Sequence, residues 1–501
     1  MSAGRYAFGH HSDRRTAAMI CFLMLLLQLQ LSISAGVIEM PSYSWETQKD
    51  VNAQRDAHAI MEAAFSSRSA YERLAYMTDT FGPRLSGSTA LELALNWTKE
   101  EILSDGLSVQ EEPVKVPCWV RGKEYATLRS PRVKNVRIAG LGGSIGTPNG
   151  EPLIAKVLVV SSFDELEARK NEIEGHVVVY NEEYEGYSTT ISYRLTGAQR
   201  AEKYGAVAAL VRSVSPFGLK TVHTGSSNTA SIPTAAITKE DAQMFSRMQA
   251  RGQDIEIELY MEAHTLPDQM SRNLIIEIKG AKEPDEVIVF GGHMDSWDIA
   301  DGAMDDGAGA YVCWEAMRLI NSLGLKPRRT IRAVLFVNEE NGAMGGQQYY
   351  QNHVNEVNLT SIAIETDEGN FSPYGISFSG SDEARTLLTN MGQELLAHIG
   401  AGNVTGDDYG TDISYMCEQG VPCGSLKTLD PRIGDYANNP CLGFSNPPYP
   451  EPDMGKSAYF WYHHTEADTI DKLSPEQLQH CAAALAVWTF SIANLHSLLP
   501  R

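Results

Sequence analysis

Basic residues are scarce in this 501-residue chain, with 41 Lys and Arg against 63 Asp and Glu and a formal charge of -22. A surface of that sign repels a polyanion at long range, which argues against nucleic-acid partners and suits divalent cations. Cysteine is also scarce, seven scattered through the whole chain, so no disulfide-dense scaffold is present. Beyond the N-terminal segment, no apolar run reaches the ~20 residues of a membrane-spanning helix. At 43% hydrophobic and 21% charged content, disordered, collagen-like and coiled-coil chains are excluded. The length suggests roughly two to three domains.

Arg5, Arg14 and Arg15 precede an apolar run from Met19 to Leu31, followed by small residues Ser32, Ser34, Ala35 and Gly36. This pattern predicts a secretory signal over residues 1–35, cut near Ser34 to Gly36. Acceptor triplets at Asn96, Asn358 and Asn403 fit a secreted glycoprotein. Cys417, Cys423 and Cys441 are close enough in sequence for one bridge, with the pairing open.

Two helical runs are expected between about 50 and 105, separated by the turn Phe81-Gly-Pro-Arg-Leu-Ser-Gly87. From 130 to 265 the texture changes to short apolar strands such as Val157–Val160 and Val177–Tyr180, with a helix near Thr196–Tyr204, as in an inserted domain. Gly140-Leu-Gly-Gly-Ser-Ile-Gly146 has the wrong spacing for a dinucleotide fingerprint, and Thr147–Pro152 cannot open a helix, so it reads as a loop. Beyond 270, strands alternate with helices, predicting an α/β fold on a mainly parallel sheet. Ser474, Pro475 and Gln477 predict a capping box on a final, packing helix.

The chemistry gathers at expected strand ends. Val287–Phe290 runs into Gly291-Gly-His-Met-Asp-Ser-Trp-Asp298, placing His293 and Asp295 where open α/β sheets put their sites. Asp305 and Asp306 follow at a helix start, where capping alone would also explain them. The next strand, Ile331–Val337, ends in Glu339 and Glu340, and Ser361–Ile364 ends in Glu365-Thr-Asp367. An aromatic segment, Tyr459–Tyr462, leads into His463 and His464. Each feature alone has a structural explanation, but together they offer His, Asp and Glu side chains suited to a two-metal site with a neighbouring base.

In that order, these residues resemble the co-catalytic zinc exopeptidases of the aminopeptidase Y and transferrin-receptor-like clan, from about Val51 to Leu498. The resemblance implies the zinc-exopeptidase fold, a mixed, mainly parallel sheet flanked by helices. The catalytic domain would take residues 36–129 and 266–501, and a β-rich protease-associated domain residues 130–265. It implies two Zn2+ per chain, one held by His293, Asp305 and Asp367, the other by Asp305, Glu340 and His464, with Asp305 bridging. Glu339 becomes the general base, and Asp295 the carboxylate that fixes the His293 ring. The resemblance also implies His464 rather than His463 as the ligand, since in the family pattern an Asp lies four residues beyond it, as Asp468 does here. His463 stands where relatives carry Tyr, so it either donates to the oxyanion or packs into the core. The stretch Asp430–Gly455 is longer than the family pattern.

The implied function is a secreted or lysosomal carboxypeptidase or dipeptidase, passing through endoplasmic reticulum and Golgi. It would act as a homodimer on short peptides, chiefly dipeptides with free termini. An aminopeptidase of the same fold, a non-catalytic ectodomain that binds partners, and a single-zinc acyl transferase of the glutaminyl cyclase type are the alternatives.

Overall fold

The computed structural model describes residues 43–216, 218–430 and 459–501. The expected signal segment, Cys441 and most of the 430–455 stretch lie outside them. No helix among the described residues is long and apolar enough to cross a membrane.

Three helices open the main body, Ala53–Phe65, Ser69–Phe81 and Thr89–Ser104. The expected turn after Phe81 is present, but the first run is also broken at Ser66–Arg68, where no Gly or Pro signals it. Ser88 caps the third helix by accepting from the Leu91 N–H.

Strand β1 (Ser108–Val120) then leads into a second sheet. That sheet comprises β2 (Glu124–Ser130), β3 (Lys134–Val136), β4 (Ile138–Gly140), β5 (Leu153–Val160), β6 (Val177–Tyr180), β7 (Ala208–Arg212), β8 (Thr234–Ile237) and β9 (Glu256–Met261). Their order is β3-β2-β9-β5-β6-β7-β8-β4. The run β5 to β8 is parallel and apolar because both faces are covered. Val157 and Val159 join Phe245 of the Lys239–Ala250 helix on one face, while Leu158 and Val160 join Ala198 and Ala201 of the Tyr187–Glu202 helix on the other. That second helix starts well before the expected Thr196. β2 lies ahead of the expected boundary at 130, since its pairing with β9 rather than β1 is a tertiary choice that its alternating pattern does not disclose. Gly140 closes β4, and the chain from there to β5 holds only the short turn Pro148–Gly150, so the Gly-rich run opens no phosphate-binding helix.

The chain returns through β10 (His264–Ile278), antiparallel to β1, and continues with β11 (Glu283–His293), β12 (Arg329–Phe336), β13 (Thr360–Glu365), β14 (Ser372–Ser377), β15 (Asn403–Thr405) and β16 (Cys423–Leu429). The order is β1-β10-β12-β11-β13-β16-β14-β15. β12, β11, β13 and β16 form a parallel centre, with antiparallel pairs on either side, so the sheet is mixed as expected. The largely buried helices Ala308–Ser322 and Pro475–Ala493 pack on it and on each other.

The last helix keeps only half of its expected capping box. Ser474 accepts from the Gln477 N–H at 3.4 Å, but the Gln477 amide reaches out to Ser372 Oγ at 3.3 Å instead of back to the cap. Cys417 and Cys423 form a disulfide with Cα atoms 5.8 Å apart. Cys118, Cys313 and Cys481 are free and buried.

Candidate metal centre

Because β12, β11 and β13 are adjacent and parallel, their carboxyl ends open on one edge. His293 is the last residue of β11, Glu339 and Glu340 follow β12, and Asp367 follows β13. Asp305 arrives on the irregular turn Ala303–Gly307 ahead of the Ala308–Ser322 helix, and His463 and His464 come from the turn after Tyr459–Tyr462. The sequence thus assembles one cluster from segments that span the C-terminal half of the chain.

The two oxygens of Asp305 face two different groups. His293 Nε2 lies 3.4 Å from Asp305 Oδ1 and 3.7 Å from Asp367 Oδ1. On the other side, His464 Nε2 lies 3.3 Å from Asp305 Oδ2 and 2.9 Å from Glu340 Oε2. His463 belongs to this second group as well, with Nε2 3.6 Å from Asp305 Oδ2. Its ring stacks on that of His464 at 3.6 Å, and Tyr187 meets it edge-on.

The supporting bonds differ in one place from the sequence expectation. The His293 ring is fixed by the Asp295 backbone carbonyl, 2.9 Å from Nδ1, whereas the Asp295 carboxylate stands 3.8 Å away. That carboxylate instead accepts from Ser86 Oγ at 3.1 Å and from the Glu339 N–H at 3.2 Å, so it sets the backbone beneath the expected base. A strand end presents its own carbonyl to a ring two residues back, and residue spacing does not distinguish carbonyl from carboxylate.

Asp306, adjacent to Asp305, turns away and accepts from the N–H groups of His293 and Gly309 at 3.0 and 3.1 Å. Gly309 is required there, as a Cβ would sit 1.8 Å from the Thr366 carbonyl oxygen. Asp468 accepts from the N–H groups of Met304 and Asp305 at 2.7 and 3.1 Å, and Tyr459 donates to Asp367 at 3.0 Å. Arg84, fully buried, donates to the carbonyls of Met294, Gly82 and Gly302 at 2.9, 3.1 and 2.9 Å. The loop between β11 and Asp305 is thereby tied to the turn after Phe81.

Electrostatics follow from packing carboxylates together out of water. Burial, reinforced by the charges of Asp367 and Asp305, pushes Glu339 up to about 7 against the opposing pull of His293. Burial and the neighbouring Asp305 hold Glu340 well above its ordinary value. Burial alone would lower His293, but its contacts with Asp305 and Asp367 raise it well above 6.5. His464, desolvated and facing Arg194, is pushed down to about 3 despite Asp305, so it stays neutral, the ligating form.

The donor set fits metal ions. His293 Nε2, Asp305 Oδ2 and Glu340 Oε1 are buried without a hydrogen-bond partner among the described residues, and all three residues belong to the cluster. Imidazole with carboxylate is the ligand chemistry of zinc. Several repelling carboxylates around three imidazoles are what a cation compensates.

The sequence did not signal Arg194, Tyr187 or Thr224, which reach the centre from the second-sheet region. Arg194 Nη1 is 3.3 Å from His464 Nδ1, and the Thr224 carbonyl accepts from that same Nδ1 at 3.2 Å. Arg194 sits inside an ordinary amphipathic helix, and no spacing rule ties it to a histidine 270 residues later.

The description of peptidase family M28 matches residues 273–489, which hold every cluster residue from His293 to His464. Carboxypeptidase Q from Bos taurus is 44% identical over 436 residues, covering 86% of this chain and 86% of that protein. The Homo sapiens carboxypeptidase Q is 43% identical over 453 residues, covering 89% and 90%. A peptidase M28 precursor from Shewanella amazonensis shares the fold with a TM-score of 0.80 at 32% identity, over 90% of this chain and 99% of that one. A zinc aminopeptidase from Bacillus subtilis, at 19% identity, has a TM-score of 0.61 over 84% and 93%. Sequence identity above 40% to curated relatives along most of both chains, on a shared fold, establishes that this chain belongs to peptidase family M28.

Proposed function

We propose that this chain is a secreted di-zinc exopeptidase that hydrolyses short peptides, dipeptides with free termini foremost, with carboxypeptidase or dipeptidase specificity. The observation that carries the reading is the division of Asp305, one oxygen toward His293 and Asp367, the other toward His464 and Glu340. His293, Asp305 and Asp367 would hold one Zn2+, and Asp305, Glu340 and His464 the other. Bound there, zinc supplies Lewis acidity, polarising a peptide carbonyl and making water acidic enough to attack near neutral pH.

The protein's own part is positioning and proton movement. Glu339, partly exposed at the sheet edge, takes a proton from water on its carboxylate and returns it to the leaving amine. Asp295 holds the Glu339 main chain in register for that transfer. Asp468 and Asp306 fix the turn that presents Asp305. His463 would donate to the oxygen that gains charge at the carbonyl, a role supported by its stack on His464 at the cluster.

Carboxypeptidase Q relatives at 43% identity favour the carboxypeptidase reading over the aminopeptidase one. Secretion is supported by the N-terminal signal pattern, by the Cys417–Cys423 disulfide, which persists in oxidising compartments, and by exposed asparagines at 96, 358 and 403. As the family resemblance implies, the working form is a homodimer. The deciding experiment assays purified protein on free, N-blocked and C-blocked dipeptides, with zinc counted per chain. Two zincs per chain and hydrolysis abolished by C-terminal blocking are expected. Cleavage that survives C-terminal blocking but not N-terminal blocking overturns the carboxypeptidase assignment, and protein without zinc overturns catalysis.

A further inference from the structure

The segment Thr224–Ser226, between β7 and β8, belongs to the second-sheet region, yet its bonds go to two residues of the metal cluster. The Thr224 carbonyl accepts from His464 Nδ1 at 3.2 Å, and the Thr224 N–H donates to the His464 carbonyl at 2.9 Å. Ser226 Oγ donates to the Glu340 carbonyl at 2.8 Å. The segment therefore grips the ring and main chain of one residue and the main chain of the other. By contrast, His293 is held by the Asp295 carbonyl and Asp367 by Tyr459, both outside that region.

Arg194 braces the segment and also reaches the ring itself, Nη1 lying 3.3 Å from His464 Nδ1. Its guanidinium donates to the carbonyls of Thr224 and Ser226, each at 3.2 Å, and to Tyr187 Oη at 3.0 Å. Arg194 is 4% exposed, so these bonds are made away from water. Gly225 makes the approach feasible, with φ of +135° and no room for a side chain, since a Cβ would lie 2.3 Å from the Arg194 guanidinium carbon. The far side is pinned by the Gly-rich loop, where Gly142 N–H donates to the Gly225 carbonyl at 2.9 Å and Ser227 N–H to the Gly142 carbonyl at 2.8 Å. That loop, which opens no helix, has this mechanical place instead.

We propose that Arg194, acting through Thr224–Ser226, is a positioning residue for the Glu340 and His464 half of the metal centre only. The proposal rests on the two-zinc reading above. The ring orientation and tautomer of His464 are set by the Thr224 carbonyl, and that carbonyl is set by Arg194. Removing the guanidinium frees the segment and loosens one cation while leaving the other in place. Outer partners of metal ligands are worth roughly 10–100-fold in affinity.

The test is zinc affinity of the full-length protein by equilibrium dialysis against chelator-buffered zinc, with circular dichroism confirming the fold. Wild type should hold two zincs. Arg194→Met should weaken one by roughly 10–100-fold and leave the other unchanged, with Arg194→Lys recovering part of the loss. In a Glu340→Gln background, Arg194→Met should add little, while in a His293→Ala background its effect should persist. Should Arg194→Met fail to fold, Ser226→Ala decides, with a severalfold loss expected at the same zinc. Two zincs held at wild-type affinity by the folded variant, or equal weakening of both, overturns the inference and leaves the two-zinc reading standing. A wild-type protein with fewer than two zincs overturns both together.

Discussion

Replacing Glu339 by Gln separates proton transfer from metal holding. The Glu339 N–H bond to Asp295 at 3.2 Å is a main-chain bond and survives. The Thr411 partner of the side chain can still bond the amide oxygen, and the partly exposed position lets the new NH2 reach water. The folded state should therefore change by under ~1 kcal/mol, as for other substitutions that leave no buried group unpaired. The lost proton acceptor is worth about 100- to 10,000-fold in kcat, or about 3–5 kcal/mol of barrier. Steady-state hydrolysis of a free dipeptide should show this fall with KM little changed and zinc content intact. The pH profile carries a sign. Glu339 must be ionised to act, so kcat/KM falls as pH drops through its pKa. Bound dications cancel the Asp367 and Asp305 charges that help to raise it to about 7, so the acidic limb should lie below pH 7. A variant with kcat within tenfold of wild type and full zinc would refute the assignment of Glu339 as the base. Zinc lost in step with rate would place Glu339 among the ligands.

Metal-free protein should be less stable at pH 8 than at pH 5. Asp468, raised by burial and by Asp305 to about 7, and Glu365, raised by burial and by Asp367 to about 8, favour the folded state below their ordinary pKa and lose that contribution as pH rises through the folded values. Between pH 5 and its folded value Asp468 alone accounts for roughly 3 kcal/mol of this loss, and a melting temperature that stays flat from pH 5 to 8 in chelator would rule it out. Glu356 runs in the opposite direction. Burial opposes ionisation, but His353 and Arg332 pull it down to about 2, so its contribution is present above 4.5 and fades toward pH 2. Discounted for its 33% side-chain exposure, Glu356→Gln should cost roughly 1–2 kcal/mol at pH 7 by urea unfolding. Trp488, fully buried against Gly392, should cost about 3–5 kcal/mol as Ala. Trp488→Phe keeps most of the ring and removes an N–H that has no partner among the described residues, so a cost above ~2 kcal/mol would contradict this packing account.

The candidate metal cluster was legible because its residues sit at the ends of buried strands, and apolar runs such as Val287–Phe290 and Ile331–Val337 mark strand ends in one dimension. Parallel neighbours then bring those ends together in three. The carboxylate pair at 339 and 340, and the two histidines at 463 and 464, are visible as chemistry even before the fold is known. Three things resisted. The break at Ser66–Arg68 lacks any turn residue of strong preference. The sheet to which Glu124–Ser130 belongs depends on a partner more than a hundred residues away. The grip of Arg194 on Thr224 and His464 links three remote segments through backbone carbonyls, which every residue possesses and no sequence pattern singles out.

Arg84 has a consequence for anyone exchanging parts between relatives. One guanidinium sews the stretch from Met294 to Gly302 onto a turn some 210 positions earlier, and the Ser296 hydroxyl and N–H exchange bonds with the Arg84 main chain in return. A graft of that stretch without its arginine-bearing turn would leave carbonyls sealed from solvent with nothing to receive. The two pieces, distant on paper, have to be inherited as a single cassette.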